Sequence, residues 1–308
     1  MDDLPRIEFK DRFVMDRILG AGKYGKVYLV REVKSNELYA IKMISTSQLK
    51  SEEINLLLRE AYILRRLSQY PGISRYYDTF LTEVDHDQKI GIVMEYIEGY
   101  GFNKYIDCIY KYSRRFKKNS QLLAACYGDE MPLTREMIKY WMEEILGVIV
   151  YIHDLNVVHR DIKPANLMID KNKRVKLIDF GFSCFTLLES EYQCTAFRVG
   201  SPLFMSPEVI KGKIKNLEIY KKADVWAFGI TMYILVNNRT PFDYLEPNLT
   251  LETLVKALKT NALEPSTHPD PEINNVIHRA LIYDPHKRPT ARELLEEIGE
   301  LMDGGGKF

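Results

Sequence analysis

The sequence has no excess of charge of either sign. Its 308 residues include 43 Lys and Arg and 43 Asp and Glu, so the formal net charge is zero. Overall charge therefore gives no reason to expect attraction to nucleic acid or to an anionic membrane. We expect neither nucleic acid nor membrane among the partners of this chain.

Cysteine is scarce, and long apolar runs are missing. The four cysteines form no CxxC pair and no cluster with histidine at zinc-like spacing, which favours a reduced intracellular chain. The longest apolar run, ILGVIVYI at 145–152, is far shorter than the roughly 20 residues that cross a bilayer. The first residues are charged and unlike a signal peptide. These absences predict a soluble intracellular protein, cytoplasmic or alternatively nuclear.

Two stretches of different character follow each other along the chain. Up to about residue 94, segments such as KVYLVREV and ELYAIKMI predict strands, and INLLLREAYILRRL predicts one helix. Beyond residue 101, MIKYWMEEILGVIVYIHDL and later segments have helical spacing, with Thr134 as the predicted N-cap. The patterns predict an α+β fold with a small strand-rich lobe, one main helix in it, and a larger, mostly helical lobe.

The stretch HRDIKPANLMIDKNKRVKLIDFG, residues 159–181, combines polar side chains with two strand-like runs. LMI and VKLI flank the turn sequence DKNKR, which predicts an antiparallel hairpin. Asn166 enters the first strand and Asp179 leaves the second, so the hairpin would bring an amide and a carboxylate together. Oxygen ligands of this kind suit Mg²⁺. Asp161 and Lys163 lie on the preceding loop, within reach of whatever the metal holds.

The segment LGAGKYGKVYLV contains a GxGxxG pattern formed by Gly20, Gly22 and Gly25. A dinucleotide-binding fold would place such glycines at the start of a helix. Here a strand follows from Val27, so the loop joins two strands. Its backbone N–H groups can then lie over phosphates.

Lys42 lies in the predicted strand LYAIKMI, on the same face as Ala40. A lysine among apolar neighbours is costly unless it is paired, and Glu60 on the following helix is the natural partner. Considered alone, a strand lysine is more often a surface residue that extends its amine to water.

Taken together, these residues resemble the motif set of the eukaryotic-type protein kinases, in their serine/threonine branch. From about residue 13 to 302 the motifs follow the family's order: GAGKYGKV, YAIK, LREAYILRRL, VMEYIEG, HRDIKPAN, DFG, GSPLFMSPE, DVWAFG and HKRPT. The resemblance implies a bilobal kinase fold. The segments that it implies are an N-terminal extension at 1–12, a kinase domain at 13–303 (N-lobe 13–94, hinge 95–101, C-lobe 102–303) and a Gly-rich tail at 304–308.

An ATP site is part of what the resemblance implies. The residues assigned to ATP binding are Leu19, Gly20, Ala21, Gly22, Lys23, Tyr24, Gly25, Lys26, Val27, Ala40, Lys42, Met94, Glu95, Ile97 and Met168. The glycines would cover the phosphates, and Lys42, oriented by Glu60, would contact the α and β phosphates. Met94 would be the gatekeeper. Backbone groups of Glu95 and Ile97 would bind adenine. The side chains of Val27, Ala40 and Met168 would sandwich the adenine ring.

The resemblance also implies the catalytic groups. Asp161 would be the catalytic base, and Lys163 beside it would steady the transferring phosphate. Asn166 and Asp179 would hold Mg²⁺, with Mn²⁺ as an alternative metal. Further roles fall in or near the activation segment, which follows the DFG motif. Ser201 would contact Lys163, and Glu208 and Arg288 would form a buried anchoring pair. Asp224 would brace the catalytic loop, HRDIKPAN at 159–166.

The expected activity is transfer of the γ-phosphate of Mg-ATP to serine and threonine hydroxyls of protein substrates. A dual-specificity kinase is one alternative. A pseudokinase scaffold is another, but its usual sign is loss of Lys42, Asp161 or Asp179, and all three are present. A small-molecule or lipid kinase would be expected to lack the SPE and DVWAFG motifs, which the chain has.

Two positions depart from the family's pattern. Gly101 stands where many relatives carry an acid, which weakens the expectation of a basic substrate sequence. Arg160 normally pairs with an activation-segment phosphate. However, the usual acceptor position, three residues before Gly200, is occupied by Phe197. We expect phosphorylation at Thr195 or none, with two other hydroxyl residues as the alternatives: Ser190 and Tyr192.

A long segment at 110–131 is a third departure. It carries a basic cluster made of Arg114, Arg115, Lys117 and Lys118. The simpler interpretation of this segment is a solvated loop. The more specific alternative is a docking surface for an acidic partner.

Overall fold

The computed structural model describes residues 4–22, 25–47, 49–115, 133–187, 193–194, 199–212, 216, 218–247 and 249–303. The chain divides into two units, Met1–Glu98 with Asp179–Gly181, and Gly99–Ile178 with Phe182–Phe308. The first unit is rich in strands and contains one main helix, and the second is mostly helical. The predicted α+β fold is therefore confirmed, whereas the finer domain limits stay a prediction.

An antiparallel sheet forms most of the first unit. Its strands are β1 (Phe13–Gly22), β2 (Gly25–Glu32), β3 (Leu38–Ser45), β4 (Tyr76–Val84) and β5 (Asp87–Glu95), in the order β1-β2-β3-β5-β4. The central strand β3 pairs Ala40 with Leu29 and Met94, and Lys42 with Val27 and Ile92. Alternation along β3 places Ala40 and Lys42 on one face of the sheet, as the sequence predicts.

The segment before β1 packs against this sheet. The Ile7 N–H donates to the Leu81 carbonyl, and the Leu81 N–H donates to the Pro5 carbonyl, both at 2.9 Å. A short helix α1 (Phe9–Arg12) follows, and the buried Phe9 ring lies 5.8 Å from that of Phe13. The sequence assigns residues 1–12 to an extension. The described part of this segment nevertheless packs against the sheet through these contacts.

Helix α2 (Ser51–Leu67) carries its buried side chains at helical spacing. Among them are Leu57, Glu60, Ala61 and Leu64. Acidic residues occupy its first turn and basic residues its last, which complements the helix dipole. The helix places Glu60, a buried carboxylate, on the same side as its apolar stripe.

The second unit contains seven helices among the described residues. They are α3 (Phe102–Arg115), α4 (Arg135–Asp154), α5 (Pro207–Lys211), α6 (Ile219–Asn237), α7 (Leu251–Lys259), α8 (Pro271–Ala280) and α9 (Ala291–Asp303). Helix α4 begins where the sequence predicts, because the Thr134 side chain accepts a hydrogen bond from the Met137 N–H. Its fully buried stripe includes Ile138, Trp141, Ile145, Ile149 and Ile152.

Five short strands lie in the segments before and between these helices. They are β6 (Gly99–Gly101), β7 (Val157–Val158), β8 (Leu167–Asp170), β9 (Val175–Leu177) and β10 (Cys184–Phe185). Leu167 pairs with Leu177, so the predicted hairpin between β8 and β9 is confirmed. In its turn, the Lys173 N–H donates to the Asp170 carbonyl at 2.9 Å.

Among the residues described above, no helix is both long and apolar enough to span a lipid bilayer.

Candidate active site

Lys42 and Glu60 form a buried ion pair in the first unit. The Lys42 Nζ lies 2.6 Å from Glu60 Oε1 and 2.8 Å from Oε2, with side chains 15% and 5% exposed. Asp179 is the third member, its Oδ1 3.6 Å from the same Nζ. Strand β3 and helix α2 thus bring together the pair that the sequence predicts.

Burial and charge act in opposite directions on the pKa of Lys42. Desolvation lowers the pKa, but the carboxylates of Glu60 and Asp179 outweigh it and hold the pKa above its ordinary value. Desolvation also raises the pKa of Glu60, against the opposing effect of Lys42. The ammonium of Lys42 is therefore a fixed positive charge, oriented by the helix.

The predicted glycine-rich loop joins β1 to β2, so its strand–loop–strand context is confirmed. Gly22 pairs with Gly25 at the ends of the two strands. A Cβ at Gly25 would lie 2.2 Å from the Met43 carbonyl oxygen, so only glycine fits there. The tip residues Lys23 and Tyr24 lie outside the described residues.

The predicted adenine residues fall at several positions in the sheet and beyond it. Ala40 and Met94 are buried partners across β3 and β5. Ile97 is buried a few residues beyond β5, while the Glu95 N–H donates to the Arg75 carbonyl at 2.8 Å. An adenine contact from Glu95 would therefore use its carbonyl.

The other predicted ATP residues occupy strands of both units. Leu19, Gly20, Ala21, Lys26 and Val27 lie in β1 and β2 of the first unit, and Met168 lies in β8 of the second. The assignment of all these residues to ATP stays a prediction.

Asp161 is the centre of a polar cluster in the second unit. The residue is 2% exposed, and its Oδ2 accepts from the Lys163 Nζ at 2.6 Å and the Asn166 Nδ2 at 2.9 Å. Its Oδ1 accepts from the Ser201 N–H at 2.9 Å. Three donors from two segments therefore fix the orientation of one carboxylate.

Lys163 links this cluster to the activation segment. Its Nζ also contacts Ser201 Oγ at 2.7 Å, as the sequence predicts. Just before Ser201, Gly200 has φ +99°, and a Cβ there would lie 2.4 Å from the Arg160 carbonyl oxygen. The backbone at position 200 can approach the catalytic loop this closely because the residue there is glycine.

Asp224 on α6 holds the start of the catalytic loop. Its carboxylate accepts from the His159 N–H and the Arg160 N–H, both at 2.8 Å, and lies 2.9 Å from His153 Nε2. Burial would raise the pKa of Asp224, but the hydrogen bonds and charge of the two histidines hold it below its ordinary value. This geometry matches the bracing contact that the sequence predicts.

Asn166 and Asp179 suit the proposed metal by their donor chemistry. The Asn166 Nδ2 donates to the Asp161 carbonyl and carboxylate, which turns its amide oxygen away from Asp161. Asp179 is partly exposed, and its Oδ1 accepts from the Gly181 N–H at 3.1 Å. A neutral oxygen and a carboxylate oxygen are ligands that Mg²⁺ accepts together with water and phosphate.

Glu208 and Arg288 form a second buried pair, as predicted. The Arg288 Nη1 lies 2.7 Å from Glu208 Oε1, and the arginine side chain is fully buried. Arg288 also donates to the carbonyls of Ile282 and Lys222. The guanidinium therefore joins the start of α5 to α6 and to the loop before α9.

We expect Arg288→Ala to lower the free energy of unfolding by about 3–5 kcal/mol, because it leaves Glu208 without its countercharge. Urea unfolding followed by circular dichroism measures the change. Arg292→Ala is the matched control, since its partner Asp154 and Arg292 itself are more than half exposed. That control should lose no more than about 1 kcal/mol. Equal losses in the two variants would contradict the anchoring role.

The cysteines differ from the sequence-based expectation. Cys184 and Cys194 form a disulfide bond, and Cys108 on α3 is also disulfide-bonded. The expectation of reduced thiols is therefore wrong for these residues. It considered only CxxC and zinc-like spacings, whereas Cys184 and Cys194 are ten positions apart in sequence and a bridge between Phe185 and Gln193 brings them together.

Several predicted features fall wholly or partly outside the described residues. Thr195 and Phe197 do so, as does the segment 116–132, which contains most of the predicted docking region. Phosphorylation at Thr195 and docking at 110–131 stay predictions.

Comparison with known proteins matches residues 13–298 to the family described as protein kinase domain. CBL-interacting protein kinase 25 of Oryza sativa subsp. japonica is 28% identical, over 93% of this chain and 50% of that protein. Serine/threonine-protein kinase SRK2E of Arabidopsis thaliana is 29% identical, over 95% and 72%. SNF1-like protein kinase ssp2 of Schizosaccharomyces pombe is 29% identical, over 92% and 43%.

The family match covers most of the chain, and the chain belongs to the protein kinase family. Its relatives place it in the serine/threonine branch of the eukaryotic-type kinases. Members of this family generally use ATP and Mg²⁺ and act on protein substrates. The chain spans about half the length of the first relative named above.

Proposed function

We propose that this chain transfers the γ-phosphate of Mg-ATP to serine and threonine hydroxyls of protein substrates. The observation that carries the proposal is the buried Asp161 carboxylate, held by Lys163, Asn166 and the Ser201 N–H. A carboxylate fixed in this way can accept a proton without reorganising its surroundings. The pair formed by Lys42 and Glu60 supplies a second preorganised element.

Each polar residue has a separate task in the proposed transfer. The attacking hydroxyl of the substrate gives its proton to Asp161 as its oxygen bonds to the γ-phosphorus. The bond from that phosphorus to the bridging oxygen breaks, and ADP leaves. Lys163 stabilises the negative charge that develops on the transferred group, and Lys42 holds the α and β phosphates. Such positioning and charge stabilisation provide most of the catalysis in phosphoryl transfer.

Asn166 and Asp179 would hold the divalent ion, Mg²⁺ or alternatively Mn²⁺. When bound, such an ion neutralises charge on the phosphates and fixes their orientation. The remaining assignments belong to the same proposal: the glycine-rich loop covers the phosphates, and Val27, Ala40 and Met168 contact the adenine ring.

The partners and location follow from this chemistry. We infer an intracellular site of action, cytoplasmic or nuclear, because ATP and protein substrates are abundant there. Protein substrates are the proposed partners, with neither nucleic acid nor membrane, and segment 110–131 is the proposed docking region. The proposed kinase domain is 13–303, with the hinge at 95–101, an N-terminal extension at 1–12 and a tail at 304–308.

Incubation of the purified chain with radiolabelled Mg-ATP and a generic protein substrate tests the proposal. We expect label on serine and threonine in phosphoamino-acid analysis, loss of transfer when EDTA removes the metal, and transfer reduced roughly 10²–10⁴-fold in the Asp161→Asn blank. Label that also appears on tyrosine would indicate dual specificity. Absence of transfer by the wild-type chain would favour a pseudokinase and contradict the proposal.

A further inference from the structure

Cys184 and Cys194 are ten positions apart in sequence, and the disulfide between them closes a loop within the activation segment. Both cysteines are buried, at 0% and 6% exposure. The Cys194 N–H donates to the Phe185 carbonyl at 2.9 Å, and Phe185 forms a bridge with Gln193. One covalent bond and this backbone pairing therefore hold the two ends of the loop together.

The disulfide packs against the strand that leads into the catalytic loop. Cys184 on β10 pairs with Val158 on β7, and His159 follows directly. Both cysteines belong to one buried cluster, whose members are Val158, Cys184, Cys194, Val209, Tyr220 and Ala223. The strand position that precedes the catalytic loop therefore shares its packing with the two sulfur atoms.

Arg160 contacts residues next to the disulfide and in its buried cluster. Its Nε donates to the Phe182 carbonyl at 2.7 Å, and its guanidinium carbon lies 5.7 Å from the centre of the Tyr220 ring. Phe182 is two residues before Cys184, and Tyr220 is a member of the disulfide cluster. A carbonyl and an aromatic face thus contact an arginine that in kinases commonly pairs with a phosphate.

We propose that the Cys184–Cys194 disulfide is a covalent tether that positions the catalytic loop, so that kinase activity depends on the redox state of these two thiols. The oxidised form is the active one. In the reduced form the two ends of the loop in the activation segment lose their covalent connection, their packing against Val158 on β7 loosens, and Asp161 is held less precisely. This inference rests on the proposed phosphotransfer activity.

The redox step needs a peroxide-class oxidant and a dithiol-class reductant. In oxidation, one thiol attacks hydrogen peroxide to give a sulfenic acid and water, and the second thiol displaces a second water as the S–S bond forms. Two electrons and two protons pass from the thiols to the peroxide. A dithiol reverses the change by thiol–disulfide exchange and becomes a disulfide itself.

Access to the buried sulfurs requires local opening of the loop. Leu187, between the two cysteines, is 52% exposed, so part of the loop lies at the surface. Surface segments with few packed neighbours open more readily than a core. Disulfides in reducing compartments are usually transient and redox-sensing, which fits the proposed intracellular location.

The test compares the purified chain after treatment with hydrogen peroxide and after treatment with dithiothreitol. Alkylation followed by mass spectrometry reports the thiols at 184 and 194 in each sample. We expect reduction to lower kcat roughly tenfold or more, because small displacements of catalytic groups are costly, and to leave the KM for ATP within about twofold. Peroxide should restore kcat. Cys184→Ser and Cys194→Ser should each have a low kcat that neither reagent changes.

Cys108→Ser is the matched control, because Cys108 belongs to a different disulfide. It should keep the full response to both reagents. An unchanged kcat in wild-type protein whose two thiols are shown to be free would overturn the proposal. So would a redox response that persists in Cys184→Ser. The wild-type comparison remains decisive even where a serine variant fails to fold.

Amide hydrogen exchange separates failure of the tether from failure of the proposed function. Reduction should accelerate exchange at the backbone of residues 157–161, whether or not phosphate is transferred. Unchanged exchange after verified reduction contradicts the tether. Faster exchange in a chain that transfers no phosphate in either state supports the tether and contradicts the proposed function.

Discussion

Replacing Asp161 with asparagine is expected to lower kcat by roughly 10²–10⁴-fold, the usual contribution of a general base. The asparagine amide has nearly the same shape as the carboxylate but cannot accept the proton of the substrate hydroxyl. Its oxygen can still accept from the Ser201 N–H. Its nitrogen, however, would face the Lys163 Nζ and the Asn166 Nδ2, which are both donors.

Steady-state phosphate transfer at saturating ATP measures this effect, with melting temperature as the check on folding. Asp154→Asn is the matched control, because it makes the same chemical change at an aspartate whose side chain is 58% exposed. It should retain its kcat. Substantial transfer by a folded Asp161→Asn variant would show that another group receives the proton.

The sequence predicts most reliably the features that depend on local patterns. The hairpin that pairs Leu167 with Leu177 follows from two apolar runs and a polar turn. The start of α4 at Thr134 follows from capping chemistry and three- and four-residue spacing. In both cases the information lies within about twenty residues of chain, so periodicity and turn chemistry are sufficient.

The family motifs extend this reach to contacts between distant residues. The pairing of Lys42 with Glu60, and of Glu208 with Arg288, joins residues 18 and 80 positions apart. No periodicity reports such separations. The motif order supplies them because it specifies which strand or helix carries each charge, and the cost of leaving a buried charge unpaired identifies the partner.

Contacts that neither local sequence patterns nor the family motifs encode were not predicted. The disulfide depends on a bridge between Phe185 and Gln193 that has no local sequence signature. The contacts of Arg160 with the Phe182 carbonyl and the Tyr220 ring depend on tertiary packing across the second unit. Phe197 at the usual phosphate-acceptor position is the signal in the sequence that points to other partners for Arg160.

Replacing Lys42 with methionine should impair both activity and stability. We expect kcat/KM for ATP to fall roughly 10²–10³-fold, because a preorganised positive charge toward the phosphates is lost. We also expect the free energy of unfolding to fall by about 3 kcal/mol, because Glu60, only 5% exposed, keeps its charge without a partner. Steady-state kinetics and urea unfolding measure the two effects separately.

The stability loss of Lys42→Met should depend on pH. Burial already raises the pKa of Glu60, and removal of the lysine takes away the charge that opposes this rise. The folded variant should therefore bind a proton at Glu60 at a higher pH than the unfolded chain does. Its stability deficit should be smallest in acid and should grow as the pH rises through that folded-state pKa. A deficit that does not change with pH would contradict this account.

The double variant Lys42→Met/Glu60→Met distinguishes the two roles of the lysine. Two apolar side chains replace the buried pair, so most of the lost stability should return. Activity should remain low because no cation faces the phosphates. Lys89→Met is the matched control in the same sheet, since the Lys89 side chain is 25% exposed against 15% for Lys42, and its partner Asp87 lies 3.6 Å away and is itself 30% exposed. If the double variant regained activity along with stability, Lys42 would act only by supporting the fold, and the proposed contact with the phosphates would be wrong.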